Sequence, residues 1–283
     1  VGLHAKAQSD KTSKGEYAAA AALYQVYLSR FAARPEAYDI NYNLGEINFY
    51  HLNNAAGSAD AYLAAVRMNP KGPLSRVALY NALAALEVAR AAEFEASKAA
   101  GKKQTETPTD RTLTEAMELY IKTYPTDKQI PELLFRQGKL YYDYQVYDSA
   151  VKLWGTMLEK WPHDSHAQMA GELIIDSFVK SKNYENIEQW ARKLKTYQAF
   201  SDAKHQQKLE ELIVQAMFKQ GEQKAQANDH AGATAAYLRA AKEYPKDPRA
   251  AQAAVSAETE AKLAGDVSSL KEAATLITGK DYR

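Results

Sequence analysis

The side chains that most often do chemistry are sparse in this 283-residue chain, and their spacing speaks against catalysis. Cysteine is absent, which excludes disulfides, thiolate zinc sites and cysteine nucleophiles. The histidines are His4, His51, His163, His166, His205 and His230. His163 and His166 stand three apart, a spacing at which one helix presents two imidazoles to a metal. They follow Pro162, however, where a turn is expected, and the pattern supplies no third ligand. Their expected role is a solvated turn that caps the next helix, and His230 falls at a turn between helices. The carboxylate pairs Glu210-Glu211 and Glu258/Glu260 lie on amphipathic stretches whose polar faces are solvated. There is no phosphate-cradling glycine loop, no dinucleotide fingerprint, no nucleophile elbow and no His-Glu-x-x-His. No enzymatic activity, cofactor or metal site is expected.

The charge balance narrows the partners. Lys+Arg number 36 against 35 Asp+Glu, a net charge of +1. A surface that tracks phosphates needs a basic excess, so no nucleic-acid partner is expected. The 19 tyrosines offer stacking platforms in principle, but Tyr24, Tyr62, Tyr120, Tyr147 and Tyr237 recur at internal packing positions. Hydrophobic residues at 46% and charged ones at 25% fit an ordinary folded chain. No stretch approaches the roughly eighteen apolar residues of a membrane span, so direct membrane insertion is not expected. Residues 17–28 follow Lys6, Lys11 and Lys14 and imitate a leader, yet they fit the repeat below. The chain begins at Val1 and reads as an excised or processed piece.

The elements that must carry these residues are helical. Alanine, the strongest helix former, abounds, while β-branched runs and alternating strands are missing. Helix starts are expected at Asp247-Pro248, Gly72-Pro73 and Ile130-Pro131, with a capping box formed by Ser165 and Gln168. A period then organises the helices. From Gly138 one meets Tyr147, Ala150, Trp154 and Pro162; from Gly221, at the same offsets, His230, Ala233, Tyr237 and Pro245. Partial copies lie at Tyr62, Ala65 and Pro70, and at Tyr17, Ala20 and Tyr24. A small residue lets two antiparallel helices approach closely. The large aromatic fills the gap between hairpins, and the proline ends the second helix.

Leu44-Gly45, Gly138-x-x-Tyr141, Tyr147-x-x-Ala150-x-x-x-Trp154 and Ala233-x-x-x-Tyr237-x-x-Ala240-x-x-x-x-Pro245 resemble the tetratricopeptide repeat over about residues 15–264. The resemblance implies an all-α chain, a right-handed α-solenoid of about six to seven helical hairpins. The expected organisation is N-terminal units over 1–98, a polar loop insertion over 99–110, central and C-terminal units over 111–264, and a terminal helix or cap over 265–283. Three departures are expected: a lost or truncated first helix in the first unit, no proline in the unit at 165–200, and the polar interruption. The endings Thr123-Tyr124-Pro125, Lys160-Trp161-Pro162 and Glu243-Tyr244-Pro245 are similar to bacterial envelope proteins of this repeat type. Leu173 to Phe178, with Tyr184-Glu185 and Trp190 to Leu194, looks like long repeat proteins of deltaproteobacteria, some of which belong to outer-membrane and gliding machinery.

In such a repeat the first helices line a concave groove for an extended peptide or a partner helix. Projected on that face are Asn43 and Glu46, then Phe135, Lys139, Tyr142 and Asp143, then Phe218, Glu222 and Ala225. Phe135 and Phe218 serve equally well as packing residues. A clamp for a C-terminal carboxylate is not expected. Asn43 suits it, but 74–80 lacks the Lys and Arg four apart that it needs. The expected function is a non-enzymatic scaffold for a protein or peptide partner in a bacterial envelope assembly, periplasmic or outer-membrane-associated, with a cytoplasmic address as the alternative. Two rivals are a spacer without a ligand of its own, and a glycan or peptidoglycan binder using Tyr42, Tyr142 and Trp154.

Overall fold

A computed structural model describes residues 14–101 and 105–279. Among these residues every regular element is helical, and they fall into two compact units that divide between Tyr144 and Gln145. The first unit holds α1 (Lys14–Phe31), α2 (Ala37–Tyr50), α3 (Ala55–Met68), α4 (Ser75–Ala99), α5 (Pro108–Thr123) and α6 (Ile130–Asp143). The second holds α7 (Tyr147–Lys160), α8 (Ala167–Lys180), α9 (Tyr184–Leu194), a 3₁₀ turn (Gln198–Phe200), α10 (Ala203–Gln226), α11 (His230–Glu243), α12 (Ala250–Ala264) and α13 (Val267–Thr278). Within each unit, consecutive helices pack on one another as tandem helical hairpins. No helix among the described residues is long and apolar enough to cross a membrane.

Close glycine–aromatic contacts, encoded in the sequence, fix two of the hairpins. In α2 and α3, Gly45 faces the ring of Tyr62 so closely that a Cβ there would lie 2.6 Å from Tyr62 Cδ1. Ser58, in the small-residue position of α3, is fully buried and donates to the Gly45 carbonyl at 2.9 Å. In α10 and α11, a Cβ at Gly221 would meet Tyr237 Cε1 at 2.5 Å. Three of the turns into second helices reuse one device, a left-handed residue followed by an Asx cap. Asn53 (φ 54°), Lys182 (φ 54°) and Asn228 (φ 59°) precede Asn54, Asn183 and Asp229, whose side chains accept from Gly57 N, Asn186 N and Gly232 N. Each cap satisfies a backbone donor that the first helical turn leaves unpaired.

Two first helices, α4 and α12, begin later than the Pro signals suggest. After Tyr124-Pro125, Trp161-Pro162 and Tyr244-Pro245, the chain makes two successive tight turns before the next helix. In the last of these, Asp247 N donates to the Tyr244 carbonyl and Ala250 N to that of Asp247. Asp127, Asp164 and Asp247 accept from the backbone N–H two residues on, at 2.9, 2.8 and 2.9 Å. So α12 starts at Ala250 rather than at Pro248, α4 at Ser75 rather than Pro73, and α8 at Ala167. The capping box of Ser165 and Gln168 does not form: His166 is the N-cap residue, no side chain caps this helix, and Asp164 binds the His166 N–H in the preceding turn. Pro131 does sit in the first turn of α6.

The units also depart from regularity. α1 carries the second-helix pattern, with Tyr17, Ala20 and Tyr24 buried, and the place of its first helix lies outside the described residues. α4 runs unbroken through Ala99, and α5 opens at Pro108 behind a capping box of Thr107 and Asp110. In the unit of α8 and α9 the aromatic at the sixteenth position is replaced by Ile187. Phe200, from the 3₁₀ turn, folds back instead: a Cβ at Gly171 would lie 2.5 Å from Phe200 Cζ.

Candidate binding surface

The first helices of the first unit enclose a cavity of about 220 Å³ between α4 and α6, floored by α5. Leu113 and Met117 of α5 and Leu140 of α6 form its apolar floor, and Phe135 forms a wall. The rim is charged and internally paired. Arg136 Nε reaches Glu87 Oε1 at 2.6 Å and Arg136 Nη1 lies 3.3 Å from Glu132. Lys139 pairs with Asp143 one turn on, and its Nζ lies 5.2 Å from the centre of the Tyr142 ring. Arg90 reaches Asp143 at 3.9 Å and Asp110 at 2.6 Å.

Asp110 is the buried pin of this rim. Its carboxylate is 1% exposed and accepts from Arg90 Nε, from Thr107 N and Oγ1, and from the Tyr144 hydroxyl at 2.7 Å. Burial pushes its carboxyl up, but the bonds from Tyr144, Thr107 and Arg90 outweigh burial and hold it below the usual carboxylate range. The Tyr144 phenol is pushed up to about 12, by burial first and by Asp110 second. α4, α5 and α6 are thereby tied by one ion cluster beneath an apolar recess.

Of the residues projected from sequence, the structure brings Phe135, Lys139 and Asp143 to this cavity and places Tyr142 beside it under Lys139. Asn43 and Glu46 sit half-buried on α2, where Glu46 accepts from the Tyr62 hydroxyl and from Asn81 Nδ2 at 3.2 Å. In the second unit the Phe218 ring packs edge-on against Tyr237, centroids 5.1 Å apart. Glu222 pairs with Lys219 at 2.5 Å, and Ala225 is half-buried. Trp154 is fully buried and offers no face to a sugar. His163 is exposed, and His166 Nδ1 lies 2.9 Å from Asp164. No group of three His, Asp or Glu among the described residues is placed to hold a metal.

Sequence reasoning missed the cationic half of the first cavity, Arg90 and Arg136, and all of a second recess. The latter, of about 280 Å³, lies between α8 and α10. Ile175, Leu194, Phe200 and Leu209 line it, with Glu172, His205 and Lys208 at the mouth. The signal that finds it is Gly171, a first-helix glycine whose aromatic partner is not at the usual offset.

No family model matches the chain, and no curated protein does. Several solved structures are similar to it. A tetratricopeptide repeat protein from Parabacteroides merdae is 17% identical with a TM-score of 0.40, covering 98% of this chain and 98% of that one. The apo form of RapI is 13% identical with a TM-score of 0.39, covering 97% of each chain. PilF from Pseudomonas aeruginosa is 13% identical with a TM-score of 0.32, covering 87% of this chain and 95% of that one. Likenesses this distant say nothing of what the chain binds.

Proposed function

We propose that this chain is a non-enzymatic scaffold that holds an extended peptide or a partner helix along its first-helix faces, anchored by one apolar side chain in the cavity between α4 and α6. The observation that carries this reading is the apolar floor of Leu113, Met117 and Leu140 beneath a rim of paired charges. At about 220 Å³ the recess is smaller than the ~300–1,000 Å³ of small-molecule pockets. It suits a single anchoring side chain, with the rim left to read the flanking residues. A preformed site on rigid helices leaves most of the ordering cost with the ligand. On the resemblance of its aromatic-proline endings, we assign the scaffold to a bacterial envelope assembly.

Selection of random twelve-residue peptides displayed against the whole chain tests the reading. Phe135→Ala is expected to weaken the selected peptides about tenfold or more, as loss of an aromatic anchor does, with helicity by circular dichroism unchanged. Peptides that bind Phe135→Ala as well as wild type count against it. One observation favours the spacer alternative: the rim charges already pair among themselves, so their long-range pull on a partner is small. Failure to select any peptide supports that alternative.

A further inference from the structure

Half-buried carboxylates on the first helices follow a rule that one of them breaks. Glu87 and Glu132 share Arg136, Asp176 pairs with Lys180, Glu222 with Lys219, Glu258 with Lys262 and Glu260 with His230. Glu46 is half-buried on α2, yet no Lys, Arg or His among the described residues lies within ion-pair reach of it. Its protein donors are neutral: the Tyr62 hydroxyl and Asn81 Nδ2, both on Oε1, and the Tyr42 phenol beside them. Neutral donors orient a carboxylate and take it partly out of water without cancelling its charge. The Tyr62 phenol is raised far above its ordinary range, by burial first and then by its bond to Glu46, so it stays protonated and takes up none of that charge.

The surroundings suit a cation. Tyr42 lies one turn back on α2 and its ring stands edge-on to Tyr62, centroids 5.6 Å apart. Its phenol is likewise raised by burial and by the charge of Glu46. Asn43 adds a half-buried amide on the same helix. An ammonium or guanidinium entering here meets a carboxylate that lacks a counter-ion and aromatic surface that attracts cations.

We infer that Glu46, with Tyr42, Asn43 and Asn81 around it, is the seat for a Lys or Arg side chain of the bound peptide. The inference rests on the peptide-groove reading above and names the chemistry of the ligand. Glu46 attracts a cation because no protein counter-ion compensates its charge, whereas an acidic side chain is repelled. Peptides that fit both places carry a basic residue and an apolar anchor.

The test uses the peptides selected on the whole chain, resynthesised with each Lys or Arg replaced in turn by norleucine. Affinities are read by fluorescence anisotropy against wild type and Glu46→Gln, a variant that keeps an oxygen for Tyr62 and Asn81. One replacement is expected to cost about tenfold on wild type and nothing on Glu46→Gln, while Glu46→Gln alone costs the unmodified peptide the same factor. Equal binding to wild type and Glu46→Gln, with the Phe135→Ala loss intact, overturns the cation seat and leaves the groove standing. If Phe135→Ala is also without effect, groove and seat fall together.

Discussion

Placing a methyl group on Gly45 probes the contact on which the hairpin design depends. A Cβ at this position would lie 2.6, 2.7 and 2.8 Å from Tyr62 Cδ1, Cε1 and Cγ, against ~3.5–4.0 Å for carbon atoms at rest. The ring therefore has to retreat by about 1 Å. It is fully buried, and its hydroxyl is tied to Glu46, so the move disturbs packing on both sides. Overpacking of this kind costs roughly 1–3 kcal/mol. Alanine in a helix interior returns about 1 kcal/mol relative to glycine, so Gly45→Ala is expected to lose ~0–2 kcal/mol net. Gly15→Ala is the control. Nothing lies within 4 Å of a Cβ there, and the substitution should be neutral or stabilising. Urea unfolding followed by circular dichroism reads both variants. A Gly45→Ala midpoint raised above wild type by the full ~1 kcal/mol that an unhindered alanine gains would show that the ring does not pack against the α2 backbone.

Other perturbations report on separate links. Asp110→Asn leaves Arg90 without its buried partner and should cost about 2–3 kcal/mol at neutral pH. The folded carboxyl titrates below its unfolded value of about 3.9, so the wild type's advantage is full above that pH and is lost as pH falls through the folded value. Urea midpoints of the two proteins should therefore converge as pH falls below about 4. Phe200→Ala removes the ring over Gly171 and should cost ~3–5 kcal/mol, with amide exchange accelerating first in α8 and α9. Lys182→Gly relieves a left-handed lysine (φ 54°) and should raise the urea midpoint by ~0.5–1 kcal/mol equivalent; a lower midpoint would contradict the turn geometry.

How much could be read in advance depended on whether the information was local. Gly221 and Tyr237 stand sixteen apart because two antiparallel helices and one short turn bring those positions face to face, and that distance is written in the chain. Gly45 and Tyr62 make the same contact at seventeen. The rule fails at Gly171, where Ile187 leaves a gap and Phe200 arrives from beyond the second helix, which no repeat offset encodes. The starts expected at Asp247-Pro248 and Gly72-Pro73 lie two residues early because the chain makes two tight turns there before helix begins, whereas α6 does start at Ile130-Pro131. The cavity rim was half legible. Phe135, Lys139 and Asp143 share one helix face at known angular spacing. Arg90 and Arg136 join them through pairing with Asp110 and Glu87, residues 20 and 49 positions away, and that pairing depends on how neighbouring helices are rotated. Glu46 was placed on the face from sequence, but its lack of a counter-ion is a fact of three-dimensional packing.

Methionine-methyl NMR tests the central claim most directly. The five methionines are Met68, Met117, Met157, Met169 and Met217, and of these only Met117 lines the cavity between α4 and α6. Titration of a selected peptide into methyl-labelled protein is predicted to shift the Met117 resonance, with Phe135→Ala abolishing the shift at the same peptide concentration. Saturable binding that leaves Met117 unmoved and shifts Met169 or Met68 instead would contradict the assignment of this cavity as the anchor site.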